Sequence, residues 1–314
     1  MVLSKRWLQT LTWLGVLWKF SRPHTIIGTS LSVTGLAMVA LANASVGTPF
    51  SWLGFGGAIA AALVPSLCAN LYIVGLNQLE DVDIDRINKP NLPLASGEFS
   101  RKEGLLIVWV TGALALILSA FQGTALWATV ILSVAIGTVY SLPPFRLKRF
   151  PFWAALCIFG VRGIIVNLGF FLHFQQVLGG TQRLSPEVWA LTGFVILFAF
   201  AIAIFKDIPD AEGDRQFKIN TLTLRLGTQS VFEISRWVLT ACYGLMIGLT
   251  AMGLISVQPL FLIAVHVGLL VWLWMRSAKV NLKSQQQISQ FYQFIWKLFF
   301  LEYIIFPTAC LWKG

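Results

Sequence analysis

Asn77-Gln-Leu-Glu-Asp81-Val-Asp83-Ile-Asp85-Arg86-Ile-Asn-Lys89-Pro90 follows directly on an apolar run, Ala58 to Leu76, long enough to cross a bilayer. Asn77, Asp81 and Asp85 recur at intervals of four and form one polar stripe on a helix, with Asp83 on the opposite side. Carboxylates this close repel one another, and an apolar wall makes ionisation harder still. A divalent cation with oxygen ligands keeps them ionised; Mg2+ fits best, because it completes its shell with waters and substrate phosphates. A second acidic knot lies far downstream, Lys206-Asp207-Ile-Pro209-Asp210-Ala-Glu212-Gly213-Asp214-Arg215. Proline lacks an amide hydrogen and clashes with the preceding turn. The spanning helix is therefore expected to stop near Lys206 and a short one to start around Pro209. That break sets Asp210 and Asp214 opposite Asp81 and Asp85 and leaves Asp207 in the joint.

The rest of the composition belongs to a membrane protein. The chain is 57% hydrophobic and 11% charged, where a soluble domain carries about 25% charged residues. Eight of the thirteen acids fall in the two knots, so the net charge of +10 comes from Lys and Arg elsewhere. No soluble basic domain exists to carry nucleic-acid binding, and loop bias in a membrane protein accounts for the excess. Cys68, Cys157, Cys242 and Cys310 sit in apolar runs without CxxC spacing and read as small buried hydrophobes. His173 and His266 read as packing or interfacial residues. Neither a secretory signal nor a transit peptide is expected from the first residues.

Apolar segments run roughly over 25–43, 54–79, 104–121, 124–141, 152–173, 187–205, 231–251, 257–275 and 293–312, each near the ~20 residues that a bilayer core requires. An all-α bundle of nine transmembrane helices follows, one polytopic domain over 1–314, with residues 1–20 as a helix lying in the membrane interface. Lys and Arg crowd into the N-terminus and alternate loops, whereas the intervening loops hold almost none apart from Arg183. By the positive-inside rule the N-terminus and both acidic knots are expected on the cytoplasmic face, with the C-terminus outside.

These motifs resemble the UbiA superfamily of intramembrane prenyltransferases over nearly the whole chain. The first knot is similar to its NxxxDxxxD pattern at Asn77, Asp81 and Asp85, and the second to its DxxxD pattern at Asp210 and Asp214. Longer strings are similar to homogentisate prenyltransferases of photosynthetic organisms: Ser21-Arg-Pro-His-Thr-Ile-Ile-Gly28, Ile84 to Gly97, Tyr140 to Arg149, and Phe205 to Asp214. Glu80 departs from the pattern, an acid where an apolar or aromatic residue is expected.

The resemblance implies transfer of a prenyl group, phytyl in the nearest case, from an allylic diphosphate to homogentisate, with decarboxylation, on the route to tocopherol. It implies a bilayer enzyme of a cyanobacterial-type plasma or thylakoid membrane. Asn77, Asp81, Asp85, Asp210 and Asp214 are then the expected Mg2+ ligands. Arg86, Arg146, Lys148, Arg215 and Lys218 are the expected diphosphate contacts, with Arg22, His24, Arg162, Asn167 and Asp207 as further substrate-binding candidates. Arg162 and Asn167 lie inside a spanning segment, where an unpaired charge is costly. Two other readings fit the same motifs. One is a related transferase acting on chlorophyllide or another quinone precursor. The other is an ion-coupled transporter, against which the acids sit at segment ends rather than near the midplane.

Overall fold

The computed structural model describes residues 12–44, 50–180, 183–216 and 221–313, and among them every regular element is helical. In chain order these are α1 over 12–20, α2 Pro23–Ala42, α3 Trp52–Glu80, α4 Val82–Asn88, α5 Pro93–Ser96, α6 Arg101–Ala120 and α7 Thr124–Ser141. Then come α8 Pro151–Phe159, a π-helical turn Gly160–Ile165 and α9 Val166–Val177. The last six are α10 Pro186–Phe205, α11 Asp207–Gln216, α12 Leu222–Leu226, α13 Thr228–Ala251, α14 Pro259–Ser277 and α15 Gln285–Leu311. Nine stretches of the described residues are long and apolar enough to span a membrane, α8 to α9 counting as one. The protein is an integral, multi-pass membrane protein.

Polar caps set several of these ends. Ser100 and Glu103 form a reciprocal capping box at the start of α6, and Ser185 accepts from the Val188 amide to open α10. Of the interfacial helix expected over 1–20, residues 1–11 lie outside the described residues. The remainder exposes Trp13, Leu14 and Trp18, while Phe20 is buried against Leu76, Leu79 and Phe99. Gln78 donates from Nε2 to the Phe20 carbonyl at 2.7 Å and so ties the α1–α2 corner onto the end of α3.

Between spans there is no hydrophobic driving force in lipid, so close backbone approach matters. At Gly35 of α2 a Cβ would stand 2.7 Å from the Tyr303 carbonyl oxygen of α15, which leaves room for no side chain. The centre of the bundle is α10, whose spanning window is 72% buried. Along it Phe194 stacks on Phe198, Phe198 meets Phe299 of α15 at a tilt, and Phe205 meets Phe291 of α15 and Phe232 of α13 in the same way.

One buried polar pair interrupts this apolar half. His266 Nε2 of α14 lies 3.1 Å from Glu302 Oε2 of α15, both side chains fully buried. His266 Nδ1 is 2.8 Å from the Leu262 carbonyl, which can only accept, so Nδ1 carries a proton. The pair shares one further proton and is net neutral wherever that proton rests. Removing one partner strands a polar group in the core. Glu302→Leu alone is therefore expected to destabilise the protein by about 3–5 kcal/mol, and the double variant His266→Leu/Glu302→Leu to recover most of that. Melting midpoints in one detergent measure both; a double variant as unstable as the single shows that the pair itself holds α14 to α15.

Both acidic knots sit at helix breaks. The first stripe is not carried by one straight helix: α3 ends at Glu80, Asp81 caps it at φ −113° and ψ 17°, and α4 resumes at Val82. The Asp81 amide still donates to the Asn77 carbonyl at 3.1 Å and the Asp85 amide to that of Asp81 at 2.7 Å. The four-residue spacing thus survives the kink. At the second knot α10 stops at Phe205 with Lys206 as its cap, as Pro209 requires, but α11 begins two residues earlier than expected, at Asp207. Pro209 falls in the first turn, where an amide hydrogen is dispensable. Helices α4 and α11 pack against each other, so the knots meet at one end of the bundle.

Candidate active site

Asp81 and Asp85 of the first knot face cations brought by other elements. Asp81 takes Lys148 Nζ on Oδ2 at 2.7 Å and Arg146 Nη2 on Oδ1 at 3.1 Å, both from the segment after α7. Asp85 is buried, with Arg22 Nη2 at 3.8 Å. Lys89, the cap of α4, reaches across to Asp210 Oδ2 of α11 and joins the knots directly. Lys206 pairs with Asp207 at 3.2 Å.

Burial pushes the Asp85 carboxyl above its ordinary value, offset in part by Arg22 and Lys89. Asp214 is pushed up to about 7, first by burial and then by the negative charges of Asp210 and Asp207. Lys148 is drawn down by burial against the pull of Asp81. Burial is the main reason both carboxyls are raised, and the cations around them offset it only in part.

Among the described residues, two non-glycine residues adopt positive φ: Arg22 at 51° and Arg146 at 40°. A side chain in that region strains its backbone by about 1–3 kcal/mol, and such residues persist where surroundings hold them. Both point their guanidinium groups at the first knot, Arg22 at Asp85 and Arg146 at Asp81.

A cavity of 2270 Å³ opens at the knots and runs into the bundle. Asn77, Asp81, Asp85, Asp207, Asp210 and Asp214 line its mouth with Arg22, His24, Arg146 and Lys148; Arg162 lines it too. Glu80 also lines it, and Tyr140, Phe200, Tyr292 and Trp296 add aromatic wall. Three expected contacts lie elsewhere. Arg86 is directed outward, paired with exposed Asp83 at 2.8 Å. Arg215 is exposed and outside the lining. Asn167 is buried between helices, where its Nδ2 donates to the Gly163 carbonyl at 2.7 Å and its Oδ1 accepts from the Tyr303 hydroxyl at 2.8 Å. Lys218 lies outside the described residues. Lys89, Lys206, Tyr292 and Trp296 are lining residues that sequence reasoning passed over. A usable signal existed for Lys89 alone, four residues beyond Asp85 on the stripe.

The Asp83–Arg86 pair gives an internal control: Asp83 is at the cavity's rim but exposed and held by Arg86. Surface pairs contribute about 0–1 kcal/mol, so Asp83→Asn is expected to keep activity within about threefold, while Asp81→Asn loses nearly all of it. Equal losses in a steady-state assay would show that Asp83 belongs to the site.

Residues 31–298 match the UbiA prenyltransferase family. The chain belongs to this family. It is 53% identical to the homogentisate phytyltransferase of Synechocystis, over 94% of this chain and 95% of that one. It is 39% identical to the homogentisate geranylgeranyltransferase of Hordeum vulgare, over 92% and 71% of the two chains. A UbiA homolog from Archaeoglobus fulgidus bound to GPP and Mg2+ shares the fold, with a TM-score of 0.63 at 19% identity, over 94% of this chain and 99% of that one.

The donor set of this UbiA prenyltransferase suits a hard divalent cation. Asp85 lines the mouth among other oxygen-bearing side chains, and its Oδ2 is buried without a hydrogen-bond partner, with Arg22 Nη2 at 3.8 Å. Among the described residues no three acidic, His or Cys side chains close around one point.

Proposed function

We propose that this UbiA prenyltransferase transfers a phytyl group from phytyl diphosphate to homogentisate, releasing diphosphate and CO2, on the route to tocopherol. The active site faces the cytoplasm in a cyanobacterial-type plasma or thylakoid membrane, as the basic loops imply. The observation that carries this reading is the meeting of α4 and α11 at the polar mouth of an apolar cavity, in a chain 53% identical to a homogentisate phytyltransferase.

Asn77, Asp81, Asp85, Asp210 and Asp214 would hold Mg2+, which neutralises the diphosphate and assists its departure. Arg146, Lys148, Lys89 and Arg22, paired with aspartates at rest, stand within reach of phosphate oxygens at the same mouth. The C1–O bond of the donor breaks and leaves an allylic cation. The cavity keeps water from it, and aromatic faces such as Tyr140 and Tyr292 stabilise it by about 0.5–2 kcal/mol each. An electron-rich ring carbon of homogentisate attacks C1 and loses its proton. The side chain gives up CO2, and the carbon left behind takes one proton to become a methyl group. The proton released thus balances the proton consumed.

The test is purified protein supplied with labelled phytyl, geranylgeranyl and solanesyl diphosphates against homogentisate and chlorophyllide. A phytylated methylquinol with stoichiometric CO2 is expected. Esterified chlorophyllide with homogentisate untouched would sink the reading.

A further inference from the structure

The cavity contains a cation that the chemistry at the mouth does not use. Arg162 stands on the π-helical turn Gly160–Ile165, inside the span that runs from Phe152 to Val177. Such turns widen a helix locally and are frequent at functional sites. Its neighbour Gly163 is pressed onto Ile196 of α10, where a Cβ would come within 2.5 Å of the Ile196 Cγ1. That contact fixes how the turn is rotated, and Arg162 lines the cavity.

Nothing acidic answers the charge. Among the described residues no Asp or Glu is paired with Arg162, and the polar groups that feel its charge are the Tyr303 and Tyr292 hydroxyls and the His24 ring. Its guanidinium instead lies over the rings of Trp296, at 5.0 Å, and Phe299, at 5.7 Å. Ring faces hold a cation in place without neutralising it. A fixed, unneutralised guanidinium in a low-dielectric cavity is a binding site for an anion, and its planar fork matches a carboxylate.

Its depth separates it from the diphosphate site. Nη1 lies beside Gly28, 3.5 Å from where a Cβ would stand. Gly28 is six residues beyond Arg22 on the sequence, about 9 Å deeper into the bundle at 1.5 Å per residue. The donor has its charge at the mouth and is hydrocarbon beyond it. The acceptor is the reactant that brings a second anion.

Resting on the prenyl-transfer reading above, we propose that Arg162 anchors the carboxylate of the aromatic acceptor. The ring and its methylene then bridge most of the distance back towards the mouth, where donor C1 lies. Trp296 closes the cradle from α15 and carries His24 on its other contact, at a centroid distance of 4.8 Å.

The test compares homogentisate with 2-(2,5-dihydroxyphenyl)ethanol, which has the same ring and no carboxylate. Wild type is expected to prefer homogentisate by about 10- to 100-fold in kcat/KM, the range of a hydrogen bond to a charged group. Arg162→Gln is expected to abolish that preference while the KM for phytyl diphosphate moves by less than about threefold. Arg162→Lys, which keeps the charge but loses the fork, is expected to retain part of it. A preference unchanged in Arg162→Gln, or a loss falling on donor KM, overturns the assignment. Should Arg162→Gln not fold, Arg162→Lys carries the test, and an unchanged ratio in that variant overturns it. A wild type that prenylates neither acceptor defeats the underlying reaction and this inference with it, and is told apart by failing before any substitution is made.

Discussion

Chelation with EDTA is expected to lower turnover by more than about 1000-fold, and Mg2+ to restore it. The reason is charge arithmetic at the mouth. Arg22, Lys89, Arg146, Lys148 and Lys206 are each already paired with an aspartate. A diphosphate bringing about three more negative charges meets a site whose fixed cations are committed. Two like charges 5 Å apart repel by about 3 kcal/mol at an effective dielectric of 20. Removing that repulsion and stabilising the leaving group is worth several kcal/mol, hence about three powers of ten in rate. Initial rates with and without chelator measure it. Full turnover in metal-free buffer would remove the role given to all four aspartates of the two motifs.

The second knot separates ligand from support. Asp210→Ala and Asp214→Ala are each expected to reduce kcat/KM by more than about 100-fold. Groups that merely support metal ligands are worth about 10–100-fold when removed, and a ligand counts for more. Asp207→Ala is expected to raise the KM for donor more than it lowers kcat, because Asp207 holds Lys206 in place at 3.2 Å and stands at the start of α11. Steady-state kinetics on the three variants decide it. If Asp207→Ala abolishes kcat while Asp210→Ala is mild, the roles within this knot are reversed.

Much of this was legible in the order of residues. Four-residue spacing exposes a stripe whatever the tertiary fold, so Asn77, Asp81 and Asp85 could be placed together, and Pro209 announced the break after α10. Apolar runs of bilayer length gave the spans to within a few residues, except α15, which begins eight residues before the expected 293. Its first turns carry Gln285, Gln286, Gln287 and Gln290, so hydropathy does not mark them as helix. Partners across the bundle were not legible. Arg86 lies one residue past Asp85 and so turns about 100° away from the stripe, out to Asp83, while Lys89 comes back under it and reaches Asp210. Asn167 looked like a polar group for substrate because the Tyr303 hydroxyl that occupies it is 136 residues away.

The left-handed backbone at Arg22 and Arg146 has a consequence for how this enzyme could be changed. Glycine would relax both positions, since it takes positive φ freely, and would remove the guanidinium groups that face the first knot. Selection for heat resistance and selection for turnover therefore pull in opposite directions at these two residues. A library screened only for survival of the fold would drift towards glycine there and yield sturdier, slower enzymes. One screened for product would keep the arginines and accept the lower melting point.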